Sequence, residues 1–152
     1  MELSVIPKTE LKVSPLCLGT MMFGNPVGES KATRLVHWAL DAGINFIDTA
    51  DMYEGYNRFL GSPGGISEEI LGKALRNRRH DSVITTKVGN PVGDQDYQGT
   101  GLGNSHILHQ IDQSLRRLQT DYVDIYEMHI ADPDTPIEES IAVMDQLIDH
   151  GK

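Results

Sequence analysis

Cysteine is nearly missing from these 152 residues. Cys17 stands alone, so an internal disulfide is impossible. Positive charge is also short. Thirteen Lys and Arg face 22 Asp and Glu, a net charge of −9. Nonspecific nucleic-acid binding and docking on anionic membrane surfaces are therefore disfavoured. No apolar run is long enough to span a bilayer. The opening "MELSVIPKTELKV" lacks the apolar core of a signal peptide. Together these absences point to the cytoplasm. Low-complexity segments, charge blocks and internal linkers are missing too, so residues 1–152 read as one unit.

What remains is a regular alternation of short apolar runs and amphipathic stretches. "LSVIPKTELKVS" alternates around Lys8-Thr9-Glu10 and predicts a hairpin. "PLCLGT" (15–20) predicts a buried strand, with Cys17 as a buried, inert thiol. In "ESKATRLVHWALDAG", Ala32, Leu35, Val36, Ala39 and Leu40 follow helical spacing, and Gly43 suits the position after the helix. "INFID" predicts a strand. "SEEILGKALRNR" predicts a helix starting at Ser67, with Ile66 and Leu71 as a hydrophobic staple. "SVITTK" is a strand and "NPVGDQDYQGTGLGN" a long polar loop. "SHILHQIDQSLRRL" is a helix with Ile107, Leu108, Ile111, Leu115 and Leu118 on one face, and "YVDIYEMH" is a strand. Thr135 to Glu138 read as a capping box with Pro136 at the first helical position. The helix that follows is expected to bury Ile137, Ile141, Met144 and Ile148. The order is a hairpin followed by four βα units, which predicts an α/β fold with a parallel sheet covered by helices.

Polar groups gather at the strand ends. Asp48, Lys87 and His129 each close a predicted strand, about one βα unit apart, and Tyr53 follows Asp48 in "FIDTADMYEG". Parallel α/β folds place functional groups at the carboxyl ends of their strands. These four are chemically compatible. A tyrosine can donate a proton to a carbonyl oxygen, but its free pKa of about 10 is roughly three units, or about 4 kcal/mol, too high. One ammonium at about 4 Å supplies roughly that much at an effective dielectric near 20. Lys87 is the candidate ammonium. A buried lysine needs a carboxylate to stay charged, and Asp48 is the candidate. His129 could hold and polarise the carbonyl.

The stretches "LCLGTMMFG", "FIDTADMYEG", "SEEILGKAL", "VITTKVG", "SLRRLQTDYVDIYEMH" and "DTPIEES" resemble the aldo-keto reductases, in that family's order and across nearly the whole chain. The resemblance implies a (β/α)8 TIM-type barrel that reduces aldehydes and ketones with NADPH. It implies a catalytic tetrad of Asp48, Tyr53, Lys87 and His129 with Tyr53 as the acid. Gly19, Thr20 and Met21, with Asp48, are then the groups against the nicotinamide and its ribose. The alternative that it implies is a non-catalytic partner resembling the β-subunits of potassium channels.

Two departures from the family follow. "EGYNRFLGSPGGI" is longer than the family's usual link, so the substrate mouth is expected to differ. A complete barrel needs about 250 residues, whereas this chain supplies the hairpin and the first four βα units. The groups that grip the rest of the cofactor are expected elsewhere. Four parallel strands leave two open edges and an inner face expected to be an exposed apolar patch. The chain is therefore expected to pair with a second copy or a partner, or to be part of a longer protein. No metal is expected. His106 and His109 read as solvated helix residues, and His129 with Asp132 finds no His-x-His partner on an earlier strand. "GTGLG" (99–103) lacks the full dinucleotide fingerprint and reads as a flexible loop.

Overall fold

The computed structural model describes residues 1–93 and 98–152. Strands β1 (Ser4–Val5) and β2 (Lys12–Val13) form an antiparallel hairpin. The turn between them needs Lys8 at φ 65°. Next come β3 (Cys17–Gly19), α1 (Glu29–Asp41), β4 (Phe46–Asp48), α2 (Ile66–Leu75), β5 (Val83–Val88), β6 (Val92–Gly93), β7 (Gln98–Gly99), α3 (Asn104–Leu118), β8 (Ile125–Met128) and α4 (Ile137–Asp149). The main sheet is parallel, in the order β3-β4-β5-β8. That is the ordered succession of the first four βα units of a (β/α)8 barrel.

The sheet has two unlike faces, because side chains alternate along a strand. Leu18, Ile47, Ile84, Val88, Tyr126 and Met128 point to the helices and join the main core. Val36 of α1, Leu71 of α2, Ile107 and Ile111 of α3 and Val143 of α4 complete it. The other face carries Cys17, Gly19, Asp48, Thr85, Lys87 and Glu127 together with Phe46, Val83 and Ile125, in register across the strands. Its polar groups are interbonded, with Thr85 Oγ1 donating to Glu127 Oε1 at 3.0 Å. The inner face expected to be an exposed apolar patch is therefore mixed, with Phe46, Val83 and Ile125 buried or half-buried toward the amino ends of the strands and polar groups toward the carboxyl ends. Nor is β3 a buried strand. It lies at the sheet edge, so Cys17 and Gly19 are exposed.

Local signals were met unevenly. After α1, Gly43 N donates to the Leu40 carbonyl and Ile44 N to the Ala39 carbonyl, a Schellman closure with Gly43 at φ 82°. Helix α2 instead starts at Ile66, capped by left-handed Gly65, so Ser67 is neither its first residue nor its cap. The Ser67 hydroxyl is buried and donates to Thr20. Pro136 is the N-cap of α4 rather than its first helical residue, and no side chain caps it. The capping box does not form because Thr135 Oγ1 donates to Asp132 Oδ2 at 2.7 Å. Asp132 also accepts from the Leu102 N–H, tying the α4 entry to the loop before α3.

The buried face of α4 is also not the expected one. Ser140, Val143 and Leu147 face inward, while Ile137, Ile141 and Ile148 are 53%, 49% and 73% exposed. Met144 is partly buried against the core. The segment read as a long polar loop carries the short antiparallel pair β6–β7, and its residues 94–97 lie outside the described ones. His106 is buried rather than solvated.

Candidate active site

Asp48 is the last residue of β4 and Lys87 the penultimate residue of β5. His129 follows β8 directly, its N–H bonded to the Val88 carbonyl at 2.8 Å. Tyr53 closes a tight turn after β4. Its N–H bonds to the Ala50 carbonyl, and its own carbonyl accepts from the Ser67 N–H at 2.9 Å. The first turn of α2 thus fixes the tyrosine backbone. Asp51 N donates to the Lys87 carbonyl at 3.2 Å, which holds the same turn to β5.

These placements bring the four side chains together. Lys87 Nζ lies 2.6 Å from Asp48 Oδ1 and donates to the Thr49 carbonyl at 2.7 Å. It donates to the Tyr53 hydroxyl at 3.2 Å. The ammonium also sits 4.7 Å from the Tyr53 ring centroid. The His129 ring meets the Tyr53 ring edge-on, with centroids 5.8 Å apart and planes at 78°. Burial pulls the Lys87 pKa down, yet the hydrogen bonds with Asp48 and Tyr53 and their charges outweigh it and hold it above the ordinary value. Burial first, and then Lys87, hold His129 below its ordinary value. The site therefore pairs a charged lysine with a neutral imidazole at neutral pH. His129 Nδ1 is buried without a hydrogen-bond partner, which leaves Nε2 as the nitrogen free to face a ligand.

The residues singled out for a cofactor divide. Gly19 is exposed, and a side chain built there would meet nothing within 4 Å, so a flat ring can lie against it. Met21 is exposed, and the Asp48 side chain is partly open. This set fits a nicotinamide and its ribose. Thr20 does not share in the opening. It is buried, its hydroxyl donates to the Asp48 carbonyl and accepts from Ser67, and its N–H also bonds to the Asp48 carbonyl. The structure gives it the part of a strut between β3, β4 and α2. Among the described residues, no group of three His, Cys, Asp or Glu is close enough to hold a metal ion.

Some residues near the site were not legible in the sequence. Glu127 faces the same mouth from β8, and its charge reaches both Cys17 and His129. Burial and then Asp48 push the Cys17 thiol up to about 11, so this exposed cysteine stays protonated at neutral pH. Asp51, two residues before Tyr53, is fully buried on the helix side. Strand alternation could have pointed to Glu127 on β8, two residues before His129.

Comparison with known proteins agrees with this fold. Residues 15–152 match the sequence model of the Aldo/keto reductase family. The uncharacterized oxidoreductase YrpG of Bacillus subtilis is 39% identical over all of this chain and 47% of its own length. A probable voltage-gated potassium channel subunit beta of Oryza sativa is 37% identical over 99% of this chain and 44% of its own. Among solved structures, the holo form of aldo-keto reductase AKR11C1 from Bacillus halodurans superimposes with a TM-score of 0.84 at 37% identity, covering 99% of this chain and 47% of that one. The chain thus spans about half the length of the relatives that it matches. With a parallel βα half-barrel, an interlocked Asp-Tyr-Lys-His group at its mouth and a family match over most of its residues, the chain belongs to the aldo/keto reductase family.

Proposed function

We propose that this chain carries the proton-transfer centre of an NADPH-dependent carbonyl reductase that converts aldehydes or ketones to alcohols. The observation behind the proposal is the single Lys87 ammonium within reach of both Asp48 and the Tyr53 hydroxyl. Tyr53 is the proton donor to the carbonyl oxygen. Lys87 donates to the phenol oxygen and stabilises the phenolate left behind. Asp48 keeps Lys87 charged as it is desolvated. His129 Nε2–H orients the carbonyl by a hydrogen bond. The chemistry that a bound nicotinamide supplies here is hydride donation to the carbonyl carbon. Gly19, Met21 and Asp48 would hold it, and the remaining contacts to it would come from beyond these four βα units. The carbonyl thus gains a hydride at carbon and a proton at oxygen, and leaves as an alcohol.

The test is Tyr53→Phe in the intact protein. Turnover should fall by about 10²–10⁴-fold, the usual range for a general acid, while NADPH fluorescence still titrates to saturation. Unchanged turnover would remove Tyr53 from the reaction. A second reading, a binding partner rather than a catalyst, draws on the rice relative's name as a potassium channel subunit. A stable channel complex together with no Tyr53-dependent turnover would favour it. The lone cysteine fits a cytoplasmic location for either reading.

A further inference from the structure

Behind the four site residues lies a group of hydroxyls that the proton-transfer steps leave unused. Thr20, Thr49 and Ser67 have no exposed surface. Each hydroxyl has one proton to give, so the direction of their bonds can be assigned. Thr20 Oγ1 donates to the Asp48 carbonyl at 2.9 Å. It must then accept from Ser67 Oγ, 2.7 Å away. The Ser67 proton is thus committed to Thr20, whose carbonyl also lies 2.9 Å from Ser67 Oγ. In the remaining contact, at 3.1 Å, Thr49 Oγ1 is therefore the donor and Ser67 Oγ the acceptor. The order runs from Thr49 to Ser67 to Thr20 to the Asp48 carbonyl. It leaves the side chain of Thr49 and returns to the carbonyl of the Asp48–Thr49 peptide, a closed ring.

That peptide is the seat of the ammonium. Two of the three oxygens around Lys87 Nζ belong to the residues that it joins, Asp48 Oδ1 at 2.6 Å and the Thr49 carbonyl at 2.7 Å. The third is the Tyr53 hydroxyl at 3.2 Å. Ser67 also holds the tyrosine, because its N–H donates to the Tyr53 carbonyl at 2.9 Å. One residue of α2 therefore grips the lysine seat through its side chain and the proton donor through its backbone.

We propose that Ser67 is a positioning residue for proton transfer: its hydroxyl completes the ring around the Asp48–Thr49 peptide, and the ring fixes the distance from Lys87 to the Tyr53 hydroxyl. The proposal rests on the carbonyl-reductase reading above. Hydroxyls in a directional chain polarise one another in a low-dielectric interior, so losing the middle member weakens the bonds on both sides. Ser67→Ala leaves Thr49 Oγ1 buried without an acceptor, a costly state that movement of the peptide relieves. The two oxygens that seat the ammonium move with that peptide. Misplacing a reacting group by about 1 Å can cost about 10²-fold in rate. The Ser67 N–H bond to Tyr53 survives the substitution, so Ser67→Ala tests the hydroxyl alone.

The test uses the intact protein with NADPH, and benzaldehyde as the probe carbonyl. Ser67→Ala should lower kcat by about 10–100-fold, with the KM for benzaldehyde and the Kd for NADPH unchanged. Thr49→Val keeps the side-chain shape and removes the first donor, so it should lose as much. Thr49→Ser keeps that donor and should recover most of the loss. The Lys87 titration, followed by NMR with carbon-13 at Cε, needs no turnover. Burial lowers the Lys87 pKa, while bonds and charges from Asp48 and Tyr53 hold it above the ordinary value. It should move down in Ser67→Ala and Thr49→Val and keep its parent position in Thr49→Ser. A serine that served stability alone would lower Tm and leave this titration in place. An unmoved Lys87 titration in Ser67→Ala overturns the proposal, whether or not the protein reduces a carbonyl. So does an unchanged kcat in Ser67→Ala where Tyr53→Phe abolishes turnover. A downward Lys87 shift in a protein whose turnover ignores Tyr53 rejects the chemistry and keeps the ring. Should Ser67→Ala fail to fold, the two Thr49 variants carry the same decision.

Discussion

Asp51 is the residue whose burial has the clearest measurable cost. It is fully buried, and neither carboxylate oxygen reaches a hydrogen bond of ordinary geometry. Burial first, and then the nearby Glu68, push it up to about 8, against the opposing pull of Arg117, the Met52 N–H and Arg58. A carboxyl whose pKa is higher folded than unfolded binds its proton more tightly in the native state. Its contribution to stability is then greatest below pH 4 and is lost as pH rises from about 4 to about 8. Asp51→Asn imitates the protonated acid. The variant should match the parent near pH 4 and exceed it by on the order of 5 kcal/mol at pH 8. Urea denaturation across that range checks it, and parallel pH profiles for the two proteins would refute it. The sequence showed Asp51 beside Asp48 and Tyr53 but not which side of the turn each would take. His106 and Cys17 escaped for the same reason. Residue type gives an average burial, and these positions depart from it because of neighbours distant in the chain.

Helices α2 and α3 are pinned by a buried charge pair. Arg117 Nε donates to Glu68 Oε2 at 2.7 Å, and Glu68 Oε1 accepts from Thr86 Oγ1 at 2.5 Å. Glu68 has no exposed surface, so removing its partner strands a charge in the core. Arg117→Met should therefore destabilise the fold by about 3–5 kcal/mol, and Arg117→Met with Glu68→Gln should recover part of that loss. Thermal unfolding of the single and double variants measures both. The order of the hairpin and the four βα units was legible, because apolar periodicity and turn residues agree along most of the chain, whereas the β6–β7 pair hid in a segment that reads as a polar loop. Helix faces were less so. Helix α4 carries two apolar stripes, and periodicity alone cannot choose between Ile137-Ile141-Ile148 and Val143-Leu147. The choice is made by distant contacts, such as the buried Ser140 hydroxyl donating to the Leu102 carbonyl at 2.8 Å. That Asp48, Lys87 and His129 meet at one end of the sheet was legible because strand ends place them, and Tyr53 follows in the turn after β4. The hydroxyl ring was not, because Thr20, Thr49 and Ser67 come from segments far apart in the chain.

At the scale of the whole molecule, one side is finished and the other is open. The helix-facing side of the sheet is closed by α1 to α4, while β3 and β8 each have a free edge. In the helix layer itself, Ile137, Ile141 and Ile148 form an exposed apolar stripe along α4. The 152-residue chain alone should therefore sediment faster than a monomer as its concentration rises. Ile141→Lys combined with Ile148→Glu should return it to monomer. Monomeric sedimentation of the unsubstituted chain at every concentration would show that the stripe tolerates water. Lys87 offers a way to watch the mouth of the half-barrel itself. Its ammonium has three oxygen neighbours, is 7% exposed and holds its proton above the ordinary value. Acylating reagents attack only the free amine, so Lys87 should be the last lysine in the chain to be labelled. Its acylation rate, read by mass spectrometry against that of exposed Lys31, then becomes a clock for how often this mouth opens.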